Sequence, residues 1–376
     1  MTTRIASAGL MVLAVTARAV TADDARTLKQ AFANRFLVGA AIGTHHVIGE
    51  ESAAIELVGR QFDSITSENL LKWAEVHPER EQYNFAPADK YVAFGEKHGM
   101  FIVGHTLVWH NQTPSWVFEG DDRKPLTREQ LLRRMREHIH TVVGRYKGRI
   151  HAWDVVNEAF EDDGRLRETP WKRIIGDDYL EHAFRFAHEA DSDAELYYND
   201  YNEWHPGKRR AISQLVKSLQ AKDVRIDGVG MQGHWGMDYP SLEELDATIR
   251  QYRDLGVKVM VTELDINFLP RPDQEQDADV ARNYAASEKL NPYAEGLPEE
   301  VNAFLACRYG DLFELLVKHA DKIDRVTFWG VHDGHSWLNN WPIRGRTAHP
   351  LLFDRNLQPK PAFNAVLEAA HPSADQ

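Results

Sequence analysis

The feature that most constrains this chain is an alternation. Eight short apolar runs recur along it: Phe36–Gly43, Phe62–Glu68, Phe101–Trp109, Ile150–Glu158, Leu196–Tyr201, Gly228–His234, Val257–Asp265 and Val326–Val331. Between them lie stretches with apolar residues at helical period, such as Arg128–Tyr146, Tyr179–Ala190, Arg209–Leu219 and Leu242–Leu255. A further helix is expected at Ala25–Asn34, ahead of the first run. Many of the runs are apolar on both faces, as parallel strands covered by helices must be. Strand–helix alternation implies parallel strands. Eight such units imply an α/β protein, a single (β/α)8 TIM barrel with its groove at the C-terminal ends of the strands. The alternative is a doubly wound open sheet, which would carry a Gly-rich phosphate turn after its first strand. Gly39-Ala40-Ala41-Ile42-Gly43 is not such a turn.

No internal repeat, low-complexity tract or Pro/Ser-rich linker divides the chain, so residues 23–376 are expected to form one domain. The longest irregular stretches, Asn267–Pro298 and Asn339–Asp354, follow the late strands, where a barrel keeps its binding loops. Residues 1–22 read as an export signal. Arg4 opens it, Ile5–Ala17 is small and apolar, and Val20-Thr21-Ala22 is a cleavage pattern just before Asp23. That apolar run is too short to span a bilayer. The other reading is a misassigned start codon upstream of a cytoplasmic protein. Elsewhere no segment is apolar enough for a membrane. The expected location is therefore periplasmic or secreted.

Net charge is −13, which argues against nucleic acid and other polyanions as partners but is indifferent to a neutral polymer. A lone cysteine, Cys307, rules out an internal disulfide and reads as a small buried hydrophobe in a helical run, Val301–Phe313.

The polar residues fall unevenly. Run two ends in Ser67-Glu68-Asn69 with Lys72 just beyond. Run three holds His105 and ends in Trp109-His110. Run four ends in Asn157-Glu158, and run five leads into Asn199-Asp200-Tyr201-Asn202. Run six ends in Gln232-Gly233-His234 and run seven in Glu263-Leu264-Asp265. Run eight ends at Trp329, with His332, Asp333 and Trp337 following. The starts of the same runs carry no comparable cluster. Singly, each residue has an ordinary reading: a helix-terminal charge, a satisfied core histidine, a core tryptophan. Together they gather on the rim where barrel active sites sit.

Two carboxylates with few cations near them suit glycoside hydrolysis, which needs one carboxyl to protonate the leaving oxygen and another to attack the anomeric carbon or activate water. Glu158 and Glu263, 105 positions apart, end strands on opposite sides of the barrel mouth. Glu263 and Asp265 are two apart on a strand, so both point inward. His234 is expected between them, its tautomer fixed by Asp265, donating a hydrogen bond that lowers the pKa of Glu263. That makes Glu263 the nucleophile. The negative charge of Glu263 is expected to raise the pKa of Glu158, leaving it general acid and then base. Glu68, Asn69, Lys72, His105, Asn157 and Gln232 suit sugar hydroxyls. Trp109, Trp329 and Trp337 would wall the pocket, and Tyr201 would stack on the leaving-group side. A monomer is expected.

These segments together resemble the retaining endo-β-1,4-xylanases of glycoside hydrolase family 10, over Phe36 to about Leu367. The resemblance rests on TSENLLKW at 66–73, GHTLVWH at 104–110, WDVVNEAF at 153–160, NDYN at 199–202, GMQGH at 230–234, VTELDI at 261–266 and FWGVHDGHSW at 328–337. It implies a barrel with an open groove for xylan and xylo-oligosaccharides, Glu158 as acid/base and Glu263 as nucleophile, and no cofactor or metal. Glu68, Asn69, Lys72, His105, Trp109, Asn157, Gln232, His234, Trp329 and Trp337 would contact the glycone side, and Tyr201 the aglycone side. The chain departs from the pattern at Leu71, where methionine is more usual, and in the acidic loop Asp273–Asp279. No carbohydrate-binding module is expected after the last helix, Phe363–Ala370.

Three other readings stay open. A metal-dependent hydrolase would want converging ligands, often a tight His pair, whereas His105 and His110 point apart. A non-catalytic glycan-binding barrel would usually have lost one of the two acids. A β-1,4-glucanase or cellulase would differ in how closely Trp329 and Trp337 crowd the sugar carbon that carries a hydroxymethyl group in glucose.

Overall fold

A computed structural model of the chain describes residues 26–271 and 287–371. The export segment, residues 1–22, lies outside that range, as does the acidic loop at Asp273–Asp279. All eight expected strands form: β1 (Leu37–Ile42), β2 (Ser64–Ser67), β3 (Phe101–Val108), β4 (Ala152–Asn157), β5 (Glu195–Asp200), β6 (Gly228–Met231), β7 (Lys258–Ile266) and β8 (Ile323–Phe328). Each pairs in parallel with the next, and β1 closes on β8 through Leu37↔Arg325 to Ala40↔Phe328. The sheet is thus a closed eight-stranded barrel.

A long helix follows every strand: α1 (Ser52–Gln61), α2 (Ala86–Lys97), α3 (Arg128–Arg145), α4 (Tyr179–Ala190), α5 (Pro206–Ala221), α6 (Leu242–Arg253), α7 (Glu299–Lys318) and α8 (Pro361–Ala369). Their starts are written locally. Thr127 with Gln130, and Ser241 with Glu244, form reciprocal capping boxes at α3 and α6. One apolar core runs between strands and helices. A second, smaller one of Val103, Ala152, Tyr197 and Met260, with Phe101, is built from strand residues alone. Arg325 is fully buried near it, its guanidinium 5.5 Å from the Tyr197 ring. The barrel is therefore packed solid, and ligands are left with its rim.

Three expectations need correction. The helix expected at Ala25–Asn34 is a single turn, Leu28–Ala31, which ends at Phe32. Cys307 is exposed rather than buried. α7 buries the stripe of Leu305, Arg308, Tyr309, Leu312 and Phe313, and Cys307 lies on the other face with Phe304, which is 58% exposed. Run six is not one strand. β6 stops at Met231, Gly233 turns the chain at φ +86°, and His234–Trp235 then resumes pairing against Asp265–Ile266.

Candidate active site

The ends of β2, β3, β4, β6, β7 and β8 deliver the rim residues into one cleft. Its walls are Glu68, Asn69, Lys72, His105, Trp109, Gln112, Asn157, Glu158, Gln232, His234, Glu263, Trp329 and Trp337. All the expected site residues gather there except Asp265, which stands one layer behind, and Tyr201.

Local irregularity aims the two glutamates. Against β8, β7 carries one extra residue between Val261 and Leu264, a bulge that contains Glu263. The Glu263 backbone N–H is held by the Gln232 carbonyl at 2.6 Å, just where run six breaks. Glu158 follows β4 directly and lies in the left-handed region, at φ +56°, with its N–H donated to the Asn199 carbonyl. A bulky side chain pays strain there, and such strain clusters at functional sites.

The carboxylates meet different partners. Glu158 Oε1 accepts from Asn157 Nδ2 (3.1 Å) and Gln232 Nε2 (3.0 Å), and Oε2 accepts from Trp109 Nε1 (2.8 Å). None of these donors carries a charge. Burial pushes Glu158 up to about 7, the negative charges of Asp200 and Glu263 add to this, and the bonds from Gln232 and Trp109 oppose it. The expected cause, the charge of Glu263, is therefore the smaller part of the effect. Glu263 Oε1 accepts from Asn199 Nδ2 (2.7 Å), and Oε2 from His234 Nε2 (3.2 Å). Burial pushes Glu263 up as well, but the His234 hydrogen bond and the neighbouring His105, His234 and Lys72 outweigh it and hold the group below its usual value.

His234 stands between Asp265 Oδ1 (3.0 Å at Nδ1) and Glu263. Burial alone would lower its pKa, yet the two carboxylates raise it to about 10. It is an imidazolium that donates from both nitrogens, so Asp265 has no tautomer to fix: it holds the charge and the ring angle. Asp265 Oδ2 accepts from Trp337 Nε1 at 2.7 Å, which ties the cleft wall to the same unit.

An amide relay joins the two sides. Asn199 Nδ2 donates to both Glu263 Oε1 and Asn157 Oδ1 (2.9 Å), and Asn157 Nδ2 donates to Glu158. Lys72 Nζ donates to Asn69 Oδ1 (3.0 Å) and Gln112 Oε1 (2.9 Å) and sits 4.8 Å from the Trp109 ring centre. Burial pushes this ammonium down, against Glu263, Glu68 and Glu158, which favour its charge. His105 Nδ1 is held by Asp154 Oδ2 at 2.9 Å.

Tyr201 is buried and does not line the cleft. Its hydroxyl accepts from Arg167 Nη2 (3.0 Å), and Lys208 Nζ lies 4.0 Å from its ring centre. Asp333, at the end of run eight, is a structural group paired with Lys360 at 2.9 Å. Three residues of the site were not singled out from sequence. Asn199 lies in the polar stretch that closes run five and could have been found by that signal. Gln112 and Arg167, which also bonds the Glu158 carbonyl, sit in loops that carry no pattern.

A sequence profile described as glycosyl hydrolase family 10 matches residues 27–369. An endo-1,4-beta-xylanase A from Xylanibacter ruminicola is 44% identical over 96% of this chain and 97% of its own. An endo-1,4-beta-xylanase B from Paenibacillus barcinonensis is 44% identical over 91% of this chain and 97% of its own. Among solved structures, a GH10 endoxylanase retrieved from a sugarcane soil metagenome superposes with a TM-score of 0.89. It is 45% identical and covers 91% of this chain and 99% of its own.

Proposed function

The chain belongs to glycosyl hydrolase family 10, and from that premise we propose that it is an exported endo-β-1,4-xylanase that works by double displacement. The observation that carries the mechanism is the opposite bias of two carboxyls joined by one amide relay: Glu158 is raised to about 7 and Glu263 is lowered. The substrate class rests on the xylanases it resembles.

In the first step Glu263 attacks the anomeric carbon of the xylosyl unit in the cleft. Glu158 gives its proton to the glycosidic oxygen, the C–O bond breaks, and the aglycone leaves as an alcohol. A covalent glycosyl ester on Glu263 remains. Glu158, now ionised, takes a proton from water as that water attacks the same carbon and expels Glu263. Two inversions return the β configuration. Asn69, Lys72, His105 and Gln232 are placed to hold sugar hydroxyls, and Trp109, Trp329 and Trp337 to face the rings. Gln112, beside Lys72, joins this set.

Export rests on the character of residues 1–22. No helix among the described residues is long and apolar enough to cross a membrane. N-terminal sequencing of the secreted protein should begin at Asp23, and retention of Met1 would refute export by cleavage.

The deciding experiment is proton NMR of the anomeric region early in xylan hydrolysis, with Glu263→Ala as control. β-ends that form before mutarotation, and are absent in the variant, are expected. α-ends first would overturn Glu263 as nucleophile. Binding without new ends would overturn the enzymatic reading.

A further inference from the structure

On the rim beside the cleft, where β1 meets β8, a set of groups serves no step of the mechanism. His45 and His46 lie on the short helix Thr44–Ile48 that follows β1. Glu51 lies just before α1, and His335 on the turn Asp333–His335 after β8. One ligand-capable atom from each of the four lies within 4.8 Å of all the others. His335 Nε2 is 2.9 Å from Glu51 Oε1, within ion-pair range. His45 Nε2 has no hydrogen-bond partner, although it is shut off from water, and it lies 4.0 Å from Glu51 Oε2. The rings of His45 and His335 meet edge to face at 4.2 Å.

The surrounding groups fix what each member does. His46 Nδ1 accepts the Gly43 N–H at 3.1 Å, so the proton of the neutral ring sits on Nε2, which faces Glu51 Oε2 at 3.5 Å. His46 is 3% exposed, and that Nε2 also lacks a hydrogen-bond partner. His332 repeats the arrangement: Nδ1 accepts from the Gly334 N–H, and Nε2 points at Glu51 Oε2 at 3.3 Å. His332 is thus an N–H donor to Glu51 Oε2, and His46 faces the same oxygen without bonding it. The other oxygen, His45 and His335 remain for a ligand.

We propose that His45, His335 and Glu51 bind one divalent transition-metal ion of the zinc class, with His332 orienting the Glu51 carboxylate. Two imidazoles and one carboxylate suit zinc, nickel or copper, and leave one tetrahedral position open. Outer donors on a ligating carboxylate are the usual support of such sites. Magnesium and calcium want more oxygen than this set offers. The site adjoins the cleft: a Cβ on Gly43 would lie 3.0 Å from His45 Cε1 and 2.7 Å from Glu68 Oε2.

The test is calorimetric titration of zinc chloride into tag-free, chelator-treated full-length protein, with His45→Ala and His335→Ala alongside. One ion per chain is expected. Each variant should lose at least the roughly 10–100-fold in affinity that removal of even an outer partner costs. Calcium should give no heat of stoichiometric binding. Cobalt substitution adds a signature: a strong visible band of tetrahedral cobalt in the parent that is absent from both variants. No stoichiometric zinc, or equal binding by parent and variants through other histidines, would overturn the proposal. If His45→Ala fails to fold, His335→Ala decides, because that side chain is exposed.

Discussion

Glu158 and Glu263 occupy one cleft, and their oxygens meet different charges. Neutral donors around Glu158 leave it protonated near neutral pH, while the His234 imidazolium keeps Glu263 ionised. Removing the acid should therefore hurt in proportion to the leaving group's need for a proton. Glu158→Ala is expected to slow natural xylan by ~10²–10⁴-fold, the range of general acid catalysis. Glycosylation by an aryl xyloside with an activated leaving group should stay within a few fold. Burst kinetics on both substrates measure this, and equal loss on both would sink the role. The same carboxyl predicts a pH effect on stability. Its folded pKa, about 7, lies above the ordinary 4.5, so the fold holds the proton more tightly than the unfolded chain does. Its contribution is most favourable at low pH and is lost as pH rises from about 4.5 to 7. The loss is on the order of 3 kcal/mol. Calorimetric melts of wild type and Glu158→Gln should therefore diverge by about that amount in favour of the variant between pH 4 and pH 8. A constant gap would refute the shift. At this scale the sequence was most readable where a polar residue ended an apolar run, as at Glu158, Gln232 and Glu263. Asn199 met the same criterion yet its neighbours Asp200 and Tyr201 are as polar, and only the fold shows which of them reaches Glu263. Arg167 reaches Tyr201 and the Glu158 carbonyl from a loop, where periodicity says nothing.

The elements were legible because their signals are local. Tyr179–Ala190 begins and ends where its periodicity does, and the eight strands follow the eight apolar runs. What was not legible is the departure from regularity that aims the site. A glycine in GMQGH reads equally as strand, bulge or turn. In the fold Gly233 has φ +86°, and a Cβ there would lie 2.8 Å from Val261 Cγ1 and 3.3 Å from the Leu264 backbone. The turn sets Gln232 against Glu158 and His234 against Glu263. Gly233→Ala should thus cost ~1–3 kcal/mol from the strained backbone, and more than stability. Its kcat on xylan should fall at temperatures where circular dichroism shows the variant fully folded. A variant that is less stable but unchanged in kcat would mean that the turn positions nothing. Cys307 shows the converse: its run was rightly read as helix, but a helix has an outer face, and composition alone does not tell which residue lies on it.

At the scale of the whole molecule, closure of β1 on β8 is what converts six separate strand ends into one cleft, and residues hundreds of positions apart into neighbours. Closure follows from counting units, which is why the barrel could be read without any contact being known. Charge is the other global quantity. Cleavage before Asp23 would remove Arg4 and Arg18 and no acid, taking the net charge from −13 to −15. Such a surface repels anions over a Debye length, about 10 Å at 0.1 M salt, and the repulsion weakens as salt rises. A neutral xylan carries nothing for that field to act on, so its KM should stay constant across a salt series. A glucuronic-acid-substituted xylan carries carboxylates along the polymer, and its approach is opposed most at low salt. Its KM should fall as sodium chloride is raised from about 0.02 to 0.3 M, with kcat unchanged because the buried charges at Glu158, Glu263 and His234 are screened little. Initial rates on the two polymers across that series separate the effects. A KM for the acidic polymer that rises with salt would instead place a cationic subsite along the groove, and would show that Lys72 and its neighbours outweigh the acidic surface where the substrate binds.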